Sequence, residues 1–184
     1  VDMHCAEGKS RDLHYVRNIN ALGGRFDEDV RKNAVRMLLN EIILKCIRES
    51  EANEEMYAFL EAFLLWFDQC RERCHNAYLS FLLEFSKRIG FACAMKHRQD
   101  DVFYIDLYEG CSSAVRPGHK AVIEPPLSSV WHFLSERQYD RCGEIQMNGR
   151  SRADLLNYIV DYFVIHVPGF GSLKSLEVLQ AVLH

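Results

Sequence analysis

No apolar run in this 184-residue sequence approaches the roughly twenty residues that a bilayer-spanning helix needs, so no transmembrane helix is expected. A secretory leader is not expected either. The opening Val-Asp-Met-His-Cys-Ala-Glu-Gly-Lys carries two acids and no apolar centre. Cysteine spacing of the disulfide-scaffold kind is lacking: the seven cysteines are odd in number, which points to reduced thiols in a cytoplasmic protein. Catalytic motifs are lacking as well. There is no G-x-S-x-G and no Cys/His nucleophile signature, and Gly169-Phe170-Gly171-Ser172 has neither the glycine spacing nor the Lys-Ser pair of a phosphate loop. Carboxylates are plentiful, but they stand mostly in helix first turns or on polar faces. An enzyme is not expected.

A dominant charge is also missing. The formal net charge of −4 argues against a chain wrapped in phosphate contacts along its whole length. The charge is uneven, however. Residues 1–25 hold Lys9, Arg11, Arg17 and Arg25 against Asp2, Glu7 and Asp12, whereas residues 26–91 hold nine bases against twelve acids. The start is slightly basic and the middle acidic.

What is present is helical periodicity. After an opening segment that reads as a strand or two before Gly23-Gly24, Asp27 is a plausible N-cap, with Glu28 and Asp29 in the first turn. Val35, Leu38, Leu39, Ile42, Ile43 and Cys46 then fall on one helical face. Asn53 caps a second helix whose stripe is Met56, Phe59, Leu60, Phe63, Leu64 and Phe67. A third helix, from about His75, carries Tyr78, Phe81, Leu82, Phe85 and Ile89 and stops at Gly90. Phe103, Ile105 and Leu107 alternate at strand period. With Glu109–Ser113 as turn material and Ala121-Val122-Ile123 as the return, this predicts a short β-hairpin inserted in the helical domain.

Pro125-Pro126 opens a fourth helix with Leu127, Val130, Trp131 and Leu134 on one face. Ser151-Arg152-Ala153-Asp154 fits a capping box ahead of Leu155, Leu156, Ile159, Val160, Phe163 and His166. Pro168–Gly171 ends that helix, and Ser172 is placed to cap a last one through Leu173, Leu176, Leu179 and Leu183. The fold class is mainly α: a bundle-like domain with an inserted hairpin, preceded by an extended segment.

Two clusters stand out as candidate sites. Cys70-x-x-x-Cys74-His75, completed by His97 or Cys93, offers one ligand pair where zinc sites usually show two, so a small metal-binding helical protein is the weaker alternative. Lys9, Arg11, Arg17 and Arg25, with Tyr15 among them, suit tracking of a nucleic-acid backbone with base stacking. His166 reads as a hydrogen-bonded core histidine.

The end of the chain, Phe170-Gly171-Ser172-Leu173-Lys174-Ser175-Leu176-Glu177-Val178-Leu179 after the helix 151–166, resembles the end of the bacterial RecO family of DNA-repair proteins. Leu173-Lys174-Ser175 with Glu177 is the most telling match. Asn40–Lys45 with Glu51–Leu60 resembles the family's first helical pair, Ser86–Phe91 the end of its third helix, and Arg11–Ile19 the chain leaving its N-terminal barrel.

That resemblance implies residues 1–24 as trailing strands of an OB-fold barrel and residues 25–184 as the helical domain. It implies a non-enzymatic, cytoplasmic and nucleoid-associated recombination mediator without a cofactor. Such a protein binds and anneals single- and double-stranded DNA and, with RecR, helps load RecA onto DNA coated by single-stranded-DNA-binding protein. DNA contacts are expected from Lys9, Arg11, Arg17, Arg25 and Lys174. The acidic, Phe-ended tail of the single-stranded-DNA-binding protein is expected to meet an apolar pocket with bases at its rim, from Lys45, Arg48, Arg71, Arg73 and Tyr78. Only Cys93 and Cys111 stand near the place of the zinc ribbon found in some members, so zinc is not carried over. A stand-alone helical interaction domain is the other alternative.

Overall fold

The computed structural model describes residues 2–6, 15–20, 29–47, 52–72, 74–98 and 101–183. Two strands, β1 (Asp2–Ala6) and β2 (Tyr15–Asn20), pair antiparallel with a register shift at His4/Cys5. Gly23-Gly24 and the expected cap Asp27 lie outside the described residues.

Helix α1 (Val30–Cys46) is capped by Asp29, whose carboxylate accepts from the amides of Arg31 (2.9 Å) and Lys32 (3.3 Å). This corrects the expected start at Asp27 and leaves the first turn without acids. Asp27 and Asp29 are both competent caps by local chemistry. Tertiary contact separates them: a start at Val30 directs Lys32 toward the end of α2 (Glu54–Gln69). There its ammonium donates to the carbonyls of Phe67 (3.0 Å), Asp68 (3.4 Å) and Cys70 (2.5 Å), groups a helix terminus leaves without intrahelical partners. Asn53 caps α2 as expected, by accepting from the Met56 amide at 2.9 Å. The α2 stripe is narrower than its sequence suggests. Met56, Phe59, Phe63 and Phe67 are buried, while Leu64 is 39% exposed.

Helix α3 (Ala77–Arg88) is the centre of the domain, with nine of its twelve residues buried. It ends as expected at Gly90, whose φ of 98° suits a residue without Cβ. Phenylalanine rings run through the core from helix to helix. Phe59 stacks on Phe81 at 5.0 Å, Phe81 on Phe85 at 5.9 Å, and Phe85 on Phe163 at 6.1 Å.

The inserted element is a three-stranded antiparallel sheet in the order β4-β3-β5, made by β3 (Tyr104–Asp106), β4 (Cys111–Ser113) and β5 (Val122–Ile123). The expectation of a two-stranded hairpin, with residues 109–113 as a turn, is corrected. The tight turn is only 107–110, closed by Asp106 accepting from the amides of Tyr108 and Glu109 and by Gly110 at φ 60°. Cys-Ser-Ser then returns as a strand that has no apolar signature. Its buried Ser112 is held by polar contacts to the Lys96 amide (2.7 Å) and the His97 ring (2.8 Å).

Pro125-Pro126, joined by a cis peptide bond, leads into α4 (Leu127–Glu136), which buries Trp131 and Leu134. A 3-10 turn at Tyr139–Glu144, not foreseen from sequence, connects to α5 (Gly149–His166). Asn148 caps α5 by accepting from the Ser151 amide at 2.8 Å, so Ser151 lies inside the helix and the capping-box reading of 151–154 is corrected. The apolar positions expected for α5 are buried, and Tyr162 joins them with its hydroxyl donating to the Phe91 carbonyl at 3.0 Å. His166 lies 2.8 Å from the Leu107 carbonyl through Nε2, the satisfied core role expected of it.

The last helix, α6 (Lys174–Leu183), is not capped by Ser172. Glu41 of α1 takes its first amides instead, accepting from Lys174 N (3.2 Å), Ser175 N (2.9 Å) and Ser175 Oγ (2.5 Å). One turn on, Lys45 donates to the carbonyls of Phe170 and Ser172, both at 2.9 Å. A carboxylate at the positive end of α6 and an ammonium on the preceding carbonyls close the domain by joining its first and last helices.

Candidate partner-docking groove

A groove of about 810 Å³ opens where α2, the end of α3 and the chain leaving α4 meet. Its floor follows from the α2 sequence. Ala58 and Ala62, one turn apart, are small and exposed beside buried Phe59, so the helix offers an apolar trough where larger residues would fill the space. Tyr139 supplies the opposite wall, set edge-on to Phe63 at 5.0 Å and against Trp66 at 4.9 Å. Burial, and then the charge of Asp140, push the Tyr139 hydroxyl above its ordinary pKa.

Three cations stand at the rim. Arg88 lies over the Phe59 ring at 4.4 Å, and Arg137 over the Phe133 ring at 4.0 Å. Lys87 donates to the Ser135 carbonyl. Carboxylates are interleaved with them. Glu84 reaches Lys87 Nζ at 3.5 Å and Arg88 Nε at 3.3 Å, and Arg137 pairs with Glu144. Glu55, Glu84 and Glu136 line the groove together with Lys87, Arg88 and Arg137, so charges of both signs ring its apolar floor. The floor suits an apolar side chain, and the guanidinium and ammonium groups suit carboxylates beside it.

The five docking residues expected from sequence are not gathered at this groove. Lys45 holds the turn before α6, and Tyr78 is 3% exposed, with a hydroxyl that has no hydrogen-bond partner among the described residues and is pushed upward in pKa by burial. Arg71 is exposed beyond the end of α2, and Arg48 and Arg73 lie outside the described residues. Of the expected DNA contacts, Lys174 is exposed in the first turn of α6, and Arg17 lies on β2. Lys9, Arg11 and Arg25 fall outside the described residues.

Among the described residues, no three His, Cys, Asp or Glu side chains are placed to hold a metal ion. Cys70 donates to the Glu72 carbonyl at 3.1 Å. The Cys74 thiol is pushed up by burial and then by neighbouring Cys70. His75 faces a separate hollow with Asn76 and Arg152. No helix among the described residues is long and apolar enough to cross a membrane.

Comparison with known proteins decides the family. The model described as "Recombination protein O C terminal" matches residues 27–177. The chain belongs to the RecO family. It is 31% identical over 152 residues to the DNA repair protein RecO of Phocaeicola vulgatus, covering 83% of this chain and 63% of that protein. With the RecO of Bacteroides fragilis it shares 32% over 155 residues, again 83% and 63%. With that of Porphyromonas gingivalis it shares 24% over 175 residues, 94% and 71%. The chain thus spans somewhat less than two thirds of the first two relatives. No solved structure matches it.

The groove and the Glu41 clasp both lie inside the RecO-matched region. Sequence reading missed Lys87, Arg88, Arg137 and Tyr139 as groove residues. The doublet Lys87-Arg88 at the end of an apolar helix was the available signal. Arg137 and Tyr139 join it only through the fold.

Proposed function

We propose that this chain is the helical part of a non-enzymatic recombination mediator in DNA repair. It handles single- and double-stranded DNA, promotes annealing, and with RecR helps load RecA onto DNA coated by single-stranded-DNA-binding protein. Membership of the RecO family supports this reading, and the relatives carry the name DNA repair protein. The observation that carries the docking step is the groove itself, where Phe59, Ala58, Ala62 and Tyr139 lie within a rim of Lys87, Arg88 and Arg137.

In this reading the terminal Phe ring of the acidic tail lies on the apolar floor. Its carboxylates meet the three cations as charge-assisted hydrogen bonds. Residues 1–24 belong to an OB-type barrel, and DNA contact falls to Lys9, Arg11, Arg17 and Arg25, with Lys174 on the helical side. The protein works in the cytoplasm at the nucleoid.

The test is a fluorescence-anisotropy titration of the chain with a labelled peptide ending Asp-Asp-Ile-Pro-Phe. A control peptide lacking the Phe is run beside it. Saturable binding that needs the Phe is expected; equal binding of both peptides, or of neither, refutes the docking step.

A further inference from the structure

The groove already contains anions: Glu55, Glu84 and Glu136 all line it, and Glu84 is the one that pairs with two of its cations. Glu84 projects from α3 with its side chain 38% exposed. One carboxylate oxygen lies 3.5 Å from Lys87 Nζ and the other 3.3 Å from Arg88 Nε. It lines the same groove as the two cations it contacts. Arg137 differs, because its partner Glu144 is not among the groove-lining residues.

An incoming carboxylate that reaches Lys87 and Arg88 must therefore share them with Glu84, or turn Glu84 out into water. Fold stability does not require Glu84 at this place. Its two ion pairs are i,i+3 and i,i+4 contacts on a helix surface, a kind of interaction worth little in net stability. Lys87 and Arg88 also have other holds, the Ser135 carbonyl and the Phe59 ring.

We propose that Glu84 is an internal competitor that sets the affinity and the charge selectivity of the groove for acidic peptides. This rests on the docking reading above. The competition raises the threshold for anions in general. A weak acidic ligand does not displace Glu84, whereas one that also places an aromatic ring on the exposed Ala58–Ala62 floor does. The partner selected is a peptide that combines a carboxylate cluster with a terminal apolar side chain.

Glu84→Gln keeps the shape and removes the charge. One like charge about 6 Å away, at an effective dielectric between those of a protein surface and water, corresponds to a roughly three- to tenfold effect on affinity. The experiment measures anisotropy Kd values for the Asp-Asp-Ile-Pro-Phe-ended peptide with the native chain, Glu84→Gln and Glu177→Gln. The last is a charge-matched control on the exposed part of α6. Each titration is run at low salt and in about 0.5 M salt, where surface charges are largely screened.

The expected result is roughly three- to tenfold tighter binding for Glu84→Gln alone, with the gain collapsing at high salt. An affinity for Glu84→Gln equal to or weaker than native, with the native chain binding, overturns the competitor role and leaves the docking reading standing. A matching gain in Glu177→Gln reduces the effect to net charge and likewise overturns it. Binding by neither the native chain nor Glu84→Gln overturns both.

Discussion

Replacing Glu41 by Ala tests the clasp that joins the two ends of the domain. The carboxylate accepts three hydrogen bonds from the start of α6 and lies 4.0 Å from Lys45. Loss of a capping acceptor costs about 1–2 kcal/mol, and hydrogen bonds to a charged group reach about 1.5–3 kcal/mol. Some of the freed amides regain water, so about 2 kcal/mol is expected for Glu41→Ala. Glu41→Gln, which keeps one acceptor oxygen, is expected to lose about half of that. For a domain of this size the Ala change lowers Tm by roughly 4–8 °C.

The pH dependence has a definite sign. Partial burial pushes the Glu41 carboxyl upward, but hydrogen bonds from Ser175 and Lys174 and the charge of Lys45 outweigh it and hold the group below its ordinary value of 4.5. Its folded-state pKa is depressed, so its contribution is present above about 4.5 and is lost as the pH falls through the lower folded value. Urea unfolding at pH 7 and across pH 3–5, followed by far-ultraviolet circular dichroism, measures both effects. A Glu41→Ala change under about 0.5 kcal/mol at pH 7, or an unchanged pH slope in Glu41→Gln, refutes the clasp.

Other perturbations follow from the same structure. Lys32→Met strips the three carbonyls at the end of α2 of their donor and is expected to destabilise by about 1–3 kcal/mol, read by urea unfolding. Gly110→Ala forces a side chain into φ 60° with its Cβ 2.9 Å from the Tyr162 hydroxyl, so thermal unfolding should show a loss of about 1–3 kcal/mol. The double change Arg88→Ala with Arg137→Ala should weaken tail-peptide binding by roughly tenfold or more in anisotropy while leaving the far-ultraviolet spectrum intact. Metal analysis of the purified chain should find no stoichiometric zinc; one zinc per chain removed by a chelator would restore the Cys70/Cys74/His75 alternative.

The helices were legible because α1, α2, α3 and α5 each bury a stripe at helical period, and burial of that stripe is what the period encodes. Their starts were less so. Asp27 and Asp29 are chemically equivalent caps, and only the contact of Lys32 with the end of α2 separates them. Asn148 won over Ser151 because side-chain acceptors compete for the same early amides, and a motif match does not say which one the chain aligns. Strand β4 was invisible since its only buried residue, Ser112, is polar and is held by a hydrogen bond from the Lys96 amide and a polar contact with the His97 ring. The groove was half legible. Lys87-Arg88 can be seen as a basic doublet, but Arg137 and Tyr139 reach it from some fifty residues further along the chain, a distance that periodicity does not cross. Lys45 shows the reverse case, a basic residue with the right chemistry for docking that the fold uses to hold its last turn.

In the proposed docking step the Phe-ended acidic tail seats between α2 and the Lys87-Arg88-Arg137 rim. The measurement that tests it most directly is photo-crosslinking with a tail peptide whose terminal residue is a photoreactive phenylalanine analogue, followed by mass-spectrometric mapping of the attachment site. Crosslinks are expected only at residues 55–62, 84–88 and 135–139, and excess unlabelled peptide abolishes them. Competable crosslinks that map instead to the α1–α6 surface around Lys45 and Lys174 would contradict it.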